Sequence, residues 1–232
     1  MAAAGTSKIL ELHHARLGCL QYTPHARRTF VMARGFSKSA QNKLFSLVDE
    51  MKRDFTINKC DSIYFIMYSE DVIEASDADR KANAGKPDTP ERNDARNKIE
   101  ALCANDVSLE IKDIMDNNKQ YNPSSGTNLY LIGASAGATV LLFVAEALTM
   151  WNVHISGMYL HAPDPIVKRE TFMIRDVSVQ LVWNLWDPVI PHEYGLKLYR
   201  QIHPNAKVVL HTYPGDTHEP ITKDIVQYIK RC

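Results

Sequence analysis

Residues 128–148 read NLYLIGASAGATVLLFVAEAL. A β-like run, NLYLI, enters Gly133-Ala134-Ser135-Ala136-Gly137, and a helix-like run, ATVLLFVAEAL, leaves it. Ser135 thus stands at a strand-to-helix corner with only small residues around it. The pattern is GxSxG, in which glycines two residues before and after the serine relieve contacts that side chains would make where a strand turns sharply into a helix. The helix after it is apolar on nearly every face, as expected of one buried against a sheet. The same residues also fit a tight turn that holds a serine without chemistry. A Gly-rich corner of this kind can cradle a phosphate, but GASAGA has neither the lysine of a P-loop nor the GxGxxG spacing of a dinucleotide site.

Outward from this corner the chain alternates two kinds of segment. RTFVMA, SIYFIMY, NLYLIG, HISGMYLHA, VSVQLVWNL and AKVVLHTY read as strands. SAQNKLFSLVDEMKRD places Leu44, Leu47, Val48 and Met51 on one helical face, IEALCANDVSLEIKDIMDNN repeats apolar residues at three- and four-residue intervals, and TKDIVQYIKR is amphipathic. Repeated strand–helix alternation predicts an α/β fold in one domain over 1–232, a mostly parallel sheet with helices on both faces. LELHHARLGCLQYT is a candidate antiparallel addition at one edge. The stretch from Ser69 to Asn97 is polar, charged and poor in large apolar residues, and is expected to be a surface loop.

The 232 residues are 45% hydrophobic, enough for one sizeable core, and Lys+Arg 27 against Asp+Glu 27 gives a formal net charge of zero. No global basic field exists to recruit nucleic acid. Cys19, Cys60, Cys103 and Cys232 form no CxxC pair, so no zinc or redox site is expected. The N-terminus lacks a long apolar segment and no run suits a membrane span, so a cytoplasmic protein with reduced thiols is expected. Oligomeric state is not legible.

A serine hydroxyl becomes a useful nucleophile when a histidine takes its proton and a carboxylate holds that histidine. VSVQLVWNLWDPVIP is a β-like run ending at Asp187, with Pro188 and Pro191 after it. AKVVLHTYPGDTHEP is the next, broken by Pro214 and Gly215 before His218. Both residues are expected in loops past strand ends, where sheets of this kind bind ligands. Acyl transfer also needs two donors for the developing oxyanion. The Ala136 N–H is one. TFVMARGFSKSAQN offers the other, the Phe36 N–H, with Gly35 letting the backbone turn. Asp164 follows a strand too early, and Asp216 is expected to shape its turn. His161 and His211 fall within strands and read as structural. His13, His14, His25, His154, His192 and His203 read as surface or core residues. Trp183 and Trp186 are candidates for an acyl groove, or for core.

With these pieces in order, the chain resembles the acyl-protein thioesterase and carboxylesterase branch of the α/β-hydrolases. The residues that carry the resemblance are Gly35-Phe36, the GxSxG at Gly133–Gly137, Asp187 within DPVIP, and Gly215 with His218. Two positions depart from that branch: Arg34 stands where it usually has histidine, and Ala136 where it usually has glutamine. The resemblance implies a compact fold without a large cap and a serine hydrolase of esters or thioesters that needs no cofactor and no metal. Its substrate would be a small molecule or an acylated one. A catalytically silent binding protein on the same scaffold is the alternative, motivated by Arg34. A serine peptidase would keep the triad but needs more chain to hold a peptide.

Overall fold

The computed structural model describes residues 13–24, 26–53, 57–84, 86, 88–121, 128–202, 204, 206–220 and 222–232. Strands and helices follow in the order β1 (Ala15–Gln21), β2 (Arg28–Ala33), α1 (Lys38–Arg53), β3 (Asp61–Tyr68), α2 (Glu70–Ala82), α3 (Pro90–Tyr121), β4 (Asn128–Ala134), α4 (Ala136–Met150), β5 (Gly157–His161), β6 (Ser178–Asn184), α5 (Glu193–Gln201), β7 (Lys207–Tyr213) and α6 (Thr222–Arg231). The strands form one 7-stranded sheet in the order β1-β3-β2-β4-β5-β6-β7. β1 pairs antiparallel with β3 at the edge, and the remaining pairs are parallel. The mostly parallel sheet and its antiparallel edge are as the sequence pattern predicts.

Central strands of such a sheet are apolar on both faces, because helices cover both. In β2, Phe30 and Met32 point to one core and Val31 and Ala33 to the other. In β4, Tyr130 and Ile132 join the first and Leu129 and Leu131 the second. Leu44, Val48 and Met51 of α1 and Ile225 and Ile229 of α6 close the first core. Val107 and Ile111 of α3 and Leu141, Val144 and Leu148 of α4 close the second. Burying one such aliphatic side chain stabilises by roughly 1.5–3 kcal/mol.

The expected loop from Ser69 to Asn97 is helix for most of its length, covering α2 and the first turns of α3. Ser69 caps α2, its Oγ accepting from the Val72 N–H, with Glu70 and Asp71 in the first turn. Thr89 plays the same part for α3, accepting from the Arg92 N–H ahead of Pro90. α2 buries only Val72 and Ile73, so apolar periodicity, the signal that reveals most helices, is absent from it.

The strand order places the site. β2 leads leftward to β3, but the chain then crosses back, and β4 pairs on the other side of β2. The sheet's winding reverses between β2 and β4, and a crevice opens past the carboxyl ends of strands at such a reversal. Arg34-Gly35-Phe36 follows β2 there, and Ser135 follows β4. Among the described residues no helix is long and apolar enough to cross a membrane.

Candidate active site

Ser135 has φ 56° and ψ −138°, a left-handed backbone that a residue with a side chain rarely adopts. Its N–H donates to the His161 carbonyl at 2.9 Å, and its own carbonyl accepts from the Ala138 N–H at 2.8 Å. A Cβ at Gly133 would stand 2.6 Å from the Ala138 Cα, and one at Gly137 would stand 2.5 Å from the Arg34 carbonyl oxygen. Glycine 133 therefore lets α4 fold back onto β4, and glycine 137 lets the start of α4 touch the turn after β2.

That turn is Arg34-Gly35-Phe36. A Cβ at Gly35 would meet Ser135 Oγ at an ordinary 3.7 Å, so glycine here keeps space open above the serine rather than relieving strain, contrary to the turning role expected for it. Phe36 is buried against Tyr68, the rings edge to face with centroids 4.5 Å apart. Among the described residues neither the Phe36 N–H nor the Ala136 N–H has a hydrogen-bond partner.

Asp187 and His218 come together. His218 Nδ1 lies 2.7 Å from Asp187 Oδ2. Asp187 Oδ1 accepts from the Val189 and Ile190 N–H groups at 2.8 and 2.9 Å. Burial pulls the Asp187 carboxyl upward, but the His218 contact and the two N–H donors outweigh it and hold the group below its ordinary range. Among the described residues His218 Nε2 is buried without a hydrogen-bond partner, so no bond joins it to Ser135 Oγ. Ser135 and His218 line one cleft of about 1110 Å³ with Gly35, Phe36 and Ala136. Asn184 steadies the histidine loop, its Nδ2 donating to the Thr217 carbonyl at 2.6 Å.

His161, at the end of β5, is buried, and among the described residues neither ring nitrogen has a partner. Its ring centroid is 6.3 Å from that of His218. Burial foremost, then the charges of His218 and Arg34, against Asp187 and Glu219, push its pKa down to about 4. His161 is therefore neutral at pH 7 and sets no positive charge beside the base. The unfolded chain takes up this proton near 6.5 and the folded protein only near 4. Stability should fall by about 3 kcal/mol as pH drops through that window. Urea midpoints measured across it in His161→Phe should lack this contribution. An unchanged slope would show that His161 is not buried neutral.

The cleft wall facing the serine comes from α2 and α3, the stretch expected to be loop. Asp79 and Arg80 of α2, its C-cap Asn83, and Arg92, Arg96 and Ile99 of α3 line the cavity. Arg92 and Arg96 share Asp79 and Asp88. Asp164 also lines the cleft. Burial foremost, then the nearby charge of Asp164, pushes the Glu100 carboxyl well above the ordinary range. Trp183 is core, its Nε1 donating to the Ile190 carbonyl, while Trp186 is 64% exposed and outside the cleft lining. Neither tryptophan forms an acyl groove. Asp216 is exposed and outside the lining, and His211 lies in β7. His13, His14, His154 and His192 are outside the lining as well. His25 and His203 lie outside the described residues.

Arg34 stands where the related branch usually has histidine, and here it is drawn into an ion pair. Its side chain is 11% exposed, and its Nη2 donates to Glu219 Oε2 at 2.8 Å. Glu219, the residue after His218, also receives Lys43 at 2.5 Å. The ion triad ties the histidine loop to the turn after β2.

No family model and no curated protein sequence matches this chain. Solved structures do. Esterase PE8 superposes with a TM-score of 0.61 at 12% identity, over 94% of this chain and 98% of its own. The fold is that of the α/β-hydrolases. A Xanthomonas campestris α/β serine hydrolase described as lacking a lid matches with a TM-score of 0.52 at 12% identity, over 93% of this chain and 86% of its own. Dienelactone hydrolase from Anabaena variabilis matches with a TM-score of 0.52 at 13% identity, over 89% and 85%. Among the described residues this α/β-hydrolase-fold chain has no large cap.

Proposed function

We propose that the protein is a serine hydrolase of carboxylic esters or thioesters, acting through an acyl-enzyme on Ser135. The observation that carries this reading is one cleft lined by two groups. One is a serine with left-handed backbone at the apex of a strand–helix turn. The other is a histidine whose Nδ1 is held 2.7 Å from a buried carboxylate. In the proposed first step His218 Nε2 takes the Ser135 proton while Oγ attacks the acyl carbonyl. The Phe36 and Ala136 N–H groups, otherwise without partners, receive the oxyanion. Asp187 holds the His218 tautomer and balances the imidazolium. The tetrahedral intermediate collapses, and His218 returns its proton to the leaving alcohol or thiol. Water, deprotonated by the same nitrogen, then releases the acid and restores Ser135.

The Ser135–His218 hydrogen bond is one that forms as substrate fills the cleft, a tightening common at such sites. The esterases among the similar folds are in keeping with a small-molecule substrate. Free thiols at Cys19, Cys60, Cys103 and Cys232 are in keeping with a reducing compartment such as the cytoplasm. The unbonded Nε2 favours a second reading, a binding protein on this fold without turnover.

Turnover separates the readings. The purified protein should release nitrophenol from a short-chain nitrophenyl ester and leave the nitroanilide of the same acyl group nearly intact. Absence of ester turnover would contradict the proposal, and faster anilide cleavage would make the protein a peptidase.

A further inference from the structure

We infer that the substrate of this site carries an oxyanionic group such as a carboxylate, and that Arg34 receives it. The inference rests on the hydrolase reading for the reaction and adds the class of molecule that enters.

The chain as a whole is neutral, yet the cleft is not. Its lining holds six cationic side chains, Arg34, Lys43, Arg80, Lys86, Arg92 and Arg96, against Asp79, Asp88, Asp164 and Glu219. The excess is positive. A cleft of one sign concentrates ligands of the other. The cations also sit where a substrate must pass, on the α2–α3 wall and at the turn beside the nucleophile. The tryptophans that would have formed an apolar groove are elsewhere.

Arg34 is under-compensated within this set. Its guanidinium is largely withdrawn from solvent, and among the described residues only Nη2 is engaged, by Glu219. Glu219 is itself 53% exposed and shared with Lys43. Arg92 and Arg96, by contrast, divide two carboxylates between them. A guanidinium with spare donors in a fixed fork matches the two oxygens of a carboxylate. Arg34 directly precedes Gly35, whose Cβ position is 3.7 Å from Ser135 Oγ. Arg34 and Ser135 line the same cleft, so one small molecule can present an anion to Arg34 and its carbonyl to Ser135.

Three esters of similar size provide the test on the wild-type protein. Nitrophenyl butyrate is neutral, mono-nitrophenyl glutarate carries its carboxylate on the acyl side, and the butyrate ester of a hydroxynitrobenzoate carries it on the leaving side. One anionic ester should exceed the neutral one in kcat/KM by about tenfold or more at low salt, and added salt should erode the margin. Which ester wins tells which portion of the substrate faces Arg34. Arg34→Met should lower the anionic-to-neutral ratio. Glu219→Gln, which removes the competing carboxylate, should raise it, a sign that general damage to the site would not give. Calorimetric binding of the same esters to Ser135→Ala reads the preference without turnover. Preference in binding with no wild-type hydrolysis would refute the hydrolase reading and leave anion recognition standing. Equal kcat/KM for neutral and anionic esters, or a ratio that Glu219→Gln lowers, overturns the inference.

Discussion

Ser135→Ala is expected to lower kcat for ester hydrolysis by about a million-fold while leaving the fold in place. The proposed chemistry passes through an oxygen that alanine lacks, and no other hydroxyl is set on the strained corner between β4 and α4. Alanine keeps the Cβ and the backbone, so the bonds of residue 135 to His161 and Ala138 persist. Residual rate of about a thousandfold over water should remain, since the Phe36 and Ala136 N–H groups are untouched. Single-turnover kinetics beside a urea denaturation curve separates the two effects. Equal activity in variant and wild type would remove Ser135 from the reaction.

Asp187→Asn should cost about 10⁴ in kcat. Asparagine fills the same volume, and its carbonyl can keep the Val189 and Ile190 N–H bonds now made by Oδ1. Its amide, however, would present N–H to His218 Nδ1 where the carboxylate now accepts at 2.7 Å. The histidine then carries its proton on Nε2 and cannot take one from Ser135. Asp187→Ala differs, because it also strips the acceptor from two loop N–H groups. It should add a stability loss of about 1–3 kcal/mol for each donor left buried without a partner. A kcat loss in Asp187→Asn no larger than a few-fold would mean that the carboxylate only shapes its loop.

Much of this architecture is legible in the sequence because burial writes it there. Each central strand is apolar on both faces, and the run before Ser135 shows it. The elbow is legible for a steric reason: only glycine fits at 133 and 137, where a Cβ would stand within 2.6 Å of backbone. Asp187 and His218 are legible because prolines and a glycine end the preceding strands. The α2–α3 wall is not legible in the same way. α2 turns a polar face to the cleft and buries two side chains, so it carries no apolar stripe. The caps Ser69 of α2 and Thr89 of α3 are in the sequence, but a cap without periodicity is also a turn. The role of Gly35 is misread from sequence, since any strand-to-helix turn tolerates glycine and only the structure reveals the space it keeps. Asn184 and the Arg34–Glu219 pair join residues far apart in the chain, and no local pattern announces either.

The central claim is that Ser135 is an activated nucleophile, and a fluorophosphonate probe tests it most directly, because only a serine paired with a working base reacts quickly with it. One probe adduct per chain is expected, mapped by peptide mass to Ser135 and lost in both Ser135→Ala and His218→Ala. A folded wild-type protein that takes up no probe, or that carries it on another residue, would contradict the account.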